Sequence, residues 1–291
     1  MRKKLLFLWG ILLILFCGCA EHTSASQITA TTLPVYEFTQ TLCDGTPLTV
    51  GRLITQSVSC LHDYSLNVDQ VKQAEGAETI VISGGGLEEF MEDILDPSKT
   101  IDASSGISLL EGEEHQHDEE EGHEGHEHDP HFWLDPRNAA IMAQNICQGL
   151  SQKYPQYSSQ FQKNLSPLLQ QLSELEAYGN RTLKDLSCRK LITFHDGFAY
   201  FAQAFQLDIL AAVEEESGSE ASAKDLIQLI QLVRANELPA IFVEKNGSSA
   251  AAKIICAETG AKIFTLDMAI AGESYFEAMY NNLTAIKEAL Q

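Results

Sequence analysis

Basic side chains are scarce: 19 Lys and Arg stand against 41 Asp and Glu in 291 residues, a formal net charge of −22. That balance opposes a polyanionic backbone and excludes nucleic acid as a partner. The seven cysteines contain no CxxC pair, so a zinc knuckle is excluded. Cys43, Cys60, Cys147, Cys188 and Cys256 form an odd set whose pairing stays open. No HExxH occurs, which removes the helix-borne site of a zinc protease, and no GK[ST] follows Gly84-Gly85-Gly86, which removes a Walker phosphate loop. Long apolar runs are also missing, with one exception at the start.

That exception follows a basic Arg2-Lys3-Lys4 segment and covers residues 5–16, the length of a signal-peptide core rather than a membrane span. It ends at Gly18-Cys19, a small residue before a cysteine, which resembles the lipobox of bacterial lipoproteins. Residues 1–18 are therefore expected to be a lipoprotein signal peptide, Cys19 the lipidated residue, and residues 19–27 a polar tether. This implies an exported protein anchored by lipid at the extracytoplasmic face of the cell membrane.

The remainder alternates strand and helix patterns. Residues 28–32, 48–53 and 79–82 read as strands, and 34–43, 68–75 and 87–95 as helices. After an acidic insertion come helical stretches at 136–154 and 161–186. Strand patterns at 191–194, 240–243 and 263–266 then alternate with helical 198–205, 223–235, 248–259 and 274–290. Such alternation predicts α/β architecture with mostly parallel sheets. The expected organisation is an N-terminal lobe at 28–155, a linking helix at 156–186 and a C-terminal lobe at 187–291.

Of nine histidines, His115, His117, His123, His126, His128 and His131 fall within residues 111–131, together with ten Asp or Glu and no Lys or Arg. So charged a stretch cannot bury itself and reads as a solvated loop, at 111–128. Imidazoles and carboxylates together suit divalent cations, so its histidines are expected to capture metal loosely. The folded body supplies His62, His131 and His195, at strand ends or helix starts. In open α/β sheets ligands collect at the carboxyl ends of strands.

The segments Asp129-Pro130-His131-Phe132-Trp133-Leu134-Asp135-Pro136 and Phe194-His195-Asp196-Gly197-Phe198-Ala199-Tyr200-Phe201, with His62-Asp63-Tyr64 and residues 261–267, resemble a known family. It is the metal-specific solute-binding lipoproteins of bacterial ABC importers, the zinc and manganese group called cluster A-I, and within it the zinc-binding ZnuA-like type. The resemblance implies two α/β lobes joined by one long rigid helix, with the metal in the cleft between them. It implies His62, His131 and His195 as ligands and Asp267 as the fourth, with Glu244 or water competing for that place. Cys60-Leu61, Ser65 and Met268-Ala269 depart from the family's usual residues.

Three neutral imidazoles and a carboxylate suit tetrahedral Zn2+, although Mn2+ is not excluded by the ligand set. The expected function is capture of zinc and delivery to an ABC permease and its ATPase, by a monomer with no enzymatic activity. The alternatives are a manganese receptor of the same family, an extracellular zinc buffer or adhesin that relies on the loop, and, last, a zinc hydrolase.

Overall fold

A computed structural model describes residues 26–56, 58, 61, 64–111, 128–213 and 222–291. Strand β1 (Ile28–Ala30) is wholly buried and leads into helix α1 (Leu33–Cys43), whose second residue is Pro34. Proline suits the first turn, where its missing N–H would have no helical partner. Strand β2 (Val50–Arg52) precedes helix α2 (Val68–Gly76), which Asn67 and Gln70 start with a reciprocal capping box. Strands β3 (Thr79–Ile82) and β4 (Thr100–Asp102) complete a parallel sheet in the order β2-β1-β3-β4. Its central strands are largely buried on both faces, as covered parallel strands must be.

A two-residue antiparallel pair follows, β5 (Leu110–Glu111) against β6 (His128–Asp129). Helix α3 (Pro136–Lys153) starts on Asp135, whose carboxylate accepts the Arg137 N–H. Helix α4 (Ser158–Thr182) has 25 residues, about 37 Å at 1.5 Å per residue. It buries Phe161, Leu168, Leu172 and Leu175, and it packs on α1 and α3 at one side and later helices at the other.

The second sheet repeats the topology of the first. Strands β7 (Lys190–Thr193), β8 (Asp208–Ala212), β9 (Ala240–Glu244) and β10 (Lys262–Leu266) are parallel in the order β10-β9-β7-β8. Helices α5 (Ala199–Phe205), α6 (Ala223–Ala235), α7 (Ala250–Thr259) and α8 (Tyr275–Leu290) flank it. In both sheets the first strand is interior, the second goes to one side and the third to the other. Each therefore has a switch point between its first and third strands, β1/β3 and β7/β9, where the chain opens a crevice at the carboxyl ends.

One apolar core runs through both halves, from Ile28 and Phe38 to Tyr275 and Leu283, and a smaller one around Ile192, Ile241 and Ile255 lies behind the second sheet. Polar ties cross the same seam. The Leu33 N–H donates to the Ile270 carbonyl at 2.9 Å, and an Arg52 guanidinium N–H to the Gly272 carbonyl at 2.6 Å. The Glu37 carboxylate accepts from the Tyr275 N–H at 2.6 Å and the Ser274 hydroxyl at 3.2 Å, capping α8 from α1.

Several elements differ from the sequence expectation, among them the β5/β6 pair at the ends of the expected loop. The expected helix at 87–95 is a six-residue 3-10 turn, Glu89–Ile94. It follows Gly84, Gly85 and Gly86, all at positive φ, and Glu88 points back to accept N–H bonds from Ser83 and Gly84. Strands β4 and β8 carried no alternating pattern: β4 has three residues, and β8 pairs β7 through a register shift at Leu191/Ile192.

Candidate metal centre

At the switch point of the second sheet, His195 follows β7 and Glu244 ends β9. Both side chains are buried, and His195 Nδ1 lies 3.6 Å from a Glu244 carboxylate oxygen. Burial pushes the Glu244 carboxyl up to about 9, helped by the nearby charge of Asp267. A carboxyl desolvated in this way gains from any cation placed beside it, since a bound ion reverses the local electrostatic preference.

His131 comes from the other half of the molecule, on the turn between β6 and α3. Asp129 fixes it twice, accepting from its backbone N–H at 2.9 Å and facing its Nδ1 at 2.8 Å. A carboxylate that accepts from Nδ1 leaves the ring's lone pair on Nε2 for a cation. This carboxylate–imidazole pairing is how proteins orient a metal-binding histidine. The His131 and His195 rings stand edge to face with centroids 5.3 Å apart.

Aromatic side chains hold that juxtaposition. Tyr200 on α5 donates its hydroxyl to the Asp129 carbonyl at 3.0 Å and accepts the Leu110 N–H at 2.7 Å, tying the His195 segment to the β5/β6 pair. Trp133 packs against His131 with ring centroids 5.4 Å apart, and its indole N–H donates to the Met268 carbonyl at 2.8 Å. Its own carbonyl accepts the Tyr275 hydroxyl at 2.8 Å.

The other expected ligands are placed differently. Asp267 follows β10, but one oxygen lies 2.8 Å from the Lys245 ammonium and the other accepts the Ala269 N–H at 2.9 Å. A metal there would share the carboxylate with Lys245. His128 is exposed in β6, opposite Glu111. His62, Cys19 and the loop residues His115, His117, His123 and His126 lie outside the described residues. Among the described residues, no third His, Cys, Asp or Glu completes a metal-holding group with the His131/His195 pair.

Sequence reasoning did not find Asp129 as the residue that sets the His131 tautomer, although an acid two places before a histidine on a turn was visible. The hydrogen bonds of Trp133 and Tyr200 were not legible either, because a bond between distant segments leaves no local pattern.

Comparison with known proteins follows this geometry. Residues 28–289 match the sequence model of the ZnuA family, described as "Zinc-uptake complex component A periplasmic". The zinc-binding lipoprotein AdcA of Streptococcus pneumoniae (strain ATCC BAA-255 / R6) is 30% identical over 307 residues, covering 99% of this chain. The chain spans 61% of the length of that relative. The metal ABC transporter substrate-binding lipoprotein ScbA of Streptococcus cristatus is 28% identical, with 99% of each chain covered. The crystal structure of ZnuA superposes with a TM-score of 0.79 at 28% identity, covering 91% of this chain and all of that one. With a family match over nearly its whole length and the same two-sheet fold, the chain belongs to the ZnuA family of zinc-uptake components.

Proposed function

We propose that this chain is the extracytoplasmic binding component of an ABC importer, which captures Zn2+ and delivers it to a membrane permease served by an ATPase. The observation that carries the reading is the His131/His195 pair, with His131 Nδ1 held 2.8 Å from the Asp129 carboxylate, at the seam between two α/β halves. The names of AdcA, a zinc-binding lipoprotein, and ScbA, a metal ABC transporter substrate-binding lipoprotein, support it.

In this reading His62, His131 and His195 bind zinc through neutral imidazoles, and a carboxylate, Asp267 or Glu244, completes the site. The lobes divide at 28–155 and 187–291 about the linking helix at 156–186. Lipid on Cys19 holds the monomer at the membrane, and His115, His117, His123, His126 and His128 collect ions for the cleft. No bond is made or broken in the cargo, so the protein is not an enzyme. Release follows docking on the permease, which loosens the geometry that Asp129 and Glu244 hold.

The test is a competition titration with Zn2+ and Mn2+ on the chain with and without residues 112–127, beside His62→Ala/His131→Ala/His195→Ala. One tight zinc site should survive loop removal and vanish in the triple variant. Its affinity should fall between pH 7.5 and pH 5.5 as the imidazoles take protons. Loss of tight binding on loop removal alone would make the protein a loop-based buffer, and tighter Mn2+ than Zn2+ binding would make it a manganese receptor.

A further inference from the structure

We propose that Lys245 is a built-in counter-ion that competes with the metal for the Asp267 carboxylate, stabilises the protein when no metal is bound, and so weakens Zn2+ binding to a level from which the ion can be handed on. The proposal rests on the cleft reading above. Lys245 and Asp267 are the residues just past the paired ends of β9 and β10, where Leu266 stands opposite Glu244. The Lys245 N–H continues that ladder to the Leu266 carbonyl at 2.8 Å. Behind it the chain turns sharply, with Asn246 at φ 73° and the Gly247 N–H on the Glu244 carbonyl at 3.0 Å. The ammonium is thereby set beside Asp267, 2.8 Å from Oδ2.

Asp267 cannot turn away from this partner cheaply. The buried side-chain amide of Asn282 accepts the Asp267 N–H and donates to the Asp267 carbonyl, both at 2.7 Å. Oδ1 accepts the N–H of Ala269, itself held at a left-handed φ of 54°. The next residue, Met268, gives its carbonyl to the indole of Trp133, which backs His131. Asp267 is therefore a fixed carboxylate beside the imidazoles, and Oδ2 is its oxygen that faces a cation. The Lys245 side chain is 57% exposed and that of Asp267 18%, so the lysine can withdraw into water while the carboxylate stays. A second positive charge a few ångströms from a divalent ion opposes its binding. The same charge compensates Asp267 when the ion is gone, which shifts the equilibrium toward release.

The experiment titrates the full chain, Lys245→Met, Lys245→Arg, Asp267→Asn and Lys245→Met/Asp267→Asn with Zn2+ against a competing chelator, and follows thermal unfolding of each with and without Zn2+. Methionine keeps an unbranched stem and removes the charge. Affinity at the tightest site should rise about tenfold in Lys245→Met, the effect of one charge near a divalent ion at a protein surface. Lys245→Arg, which keeps the charge, should restore the weaker binding. Without metal, Lys245→Met should unfold at a lower temperature than the parent, and with Zn2+ the two should unfold alike, since a ligand stabilises the fold by its own binding. A lysine that served only to support the turn would lower both midpoints together. In the Asp267→Asn background the ammonium loses its anchor, and most of the gain in affinity should disappear. Unchanged or weaker Zn2+ binding in Lys245→Met, or an equal gain in the Asp267→Asn background, overturns the counter-ion. His131→Ala/His195→Ala separates the two readings. If that variant keeps the tightest site, the cleft reading falls and the counter-ion with it; if the site is lost there while Lys245→Met binds as the parent does, the counter-ion alone falls.

Discussion

Glu88 shows what a single buried carboxyl does at the other switch point. It is almost fully buried beneath the carboxyl ends of β1 and β3, accepting from the Thr31 hydroxyl at 2.6 Å, the Ser83 N–H at 2.8 Å and the Gly84 N–H at 2.9 Å. Burial pushes its carboxyl up to about 7 against those hydrogen bonds, and Asp102 adds a smaller push in the same direction. A carboxyl whose folded pKa lies above its unfolded value of 4.5 binds a proton in the fold that the unfolded chain has lost. Stability from this group is thus complete below about pH 4.5 and is lost as pH rises to about 7. The span corresponds to on the order of 3 kcal/mol. In chelator, the difference in unfolding free energy between the parent and Glu88→Gln should shift against the parent from pH 5 to pH 7.5 and level off above. A difference that stays constant across that window would mean Glu88 is ionised throughout.

Between elements, the contact of α4 with α5 depends on one glycine. A β-carbon at Gly179 would lie 2.2 Å from Phe205 Cε1 and 2.8 Å from Phe205 Cζ. The helical backbone imposes no need for glycine there, which costs the helix roughly 1 kcal/mol against alanine. Gly179→Ala should nevertheless destabilise by about 1–3 kcal/mol, because overpacking outweighs the propensity gain. Denaturant midpoints would show it, and Phe205→Leu should absorb part of the loss in a double-mutant cycle. A stabilised Gly179→Ala would mean the two helices separate freely. This is also the scale at which the sequence was most and least informative. Helices with a clear apolar stripe, such as α4 and α8, and the buried runs of β1, β3 and β9 could be placed to within a few residues. The short edge strands β4 and β8 could not, because their edges carry neither period nor a β-branched run, and the 3-10 turn after Gly86 mimicked an amphipathic helix. At the candidate site His131 and His195 stood out through their motifs. Asp129 was visible as an acid two places before His131, but its contact with the ring and the Lys245–Asp267 pair depend on tertiary approach.

At the scale of the whole molecule, the two halves share a core and a seam of polar ties rather than a bare hinge. Glu37 at one side of the seam and Trp133 at the other reach across to Tyr275, the first by its backbone N–H and the second by its hydroxyl. The chain has two tryptophans, Trp9 and Trp133, so in a chain that starts at residue 26 tryptophan fluorescence reports on this seam alone. Because the apolar core is continuous from α1 to α8, separating the halves would expose part of the apolar surface that unfolding exposes. Urea unfolding of the metal-free chain should therefore give coincident transitions by Trp133 fluorescence and by far-ultraviolet circular dichroism, the signature of one cooperative unit. Glu37→Ala removes the cap of α8 and a tie across the seam together, and should lower stability by about 1–2 kcal/mol. Both probes should move to the same lower midpoint. If fluorescence instead changed first, at a urea concentration where helicity is intact, the halves would open as separate bodies, and metal release by lobe separation would replace release by loosening of the ligands within a closed cleft.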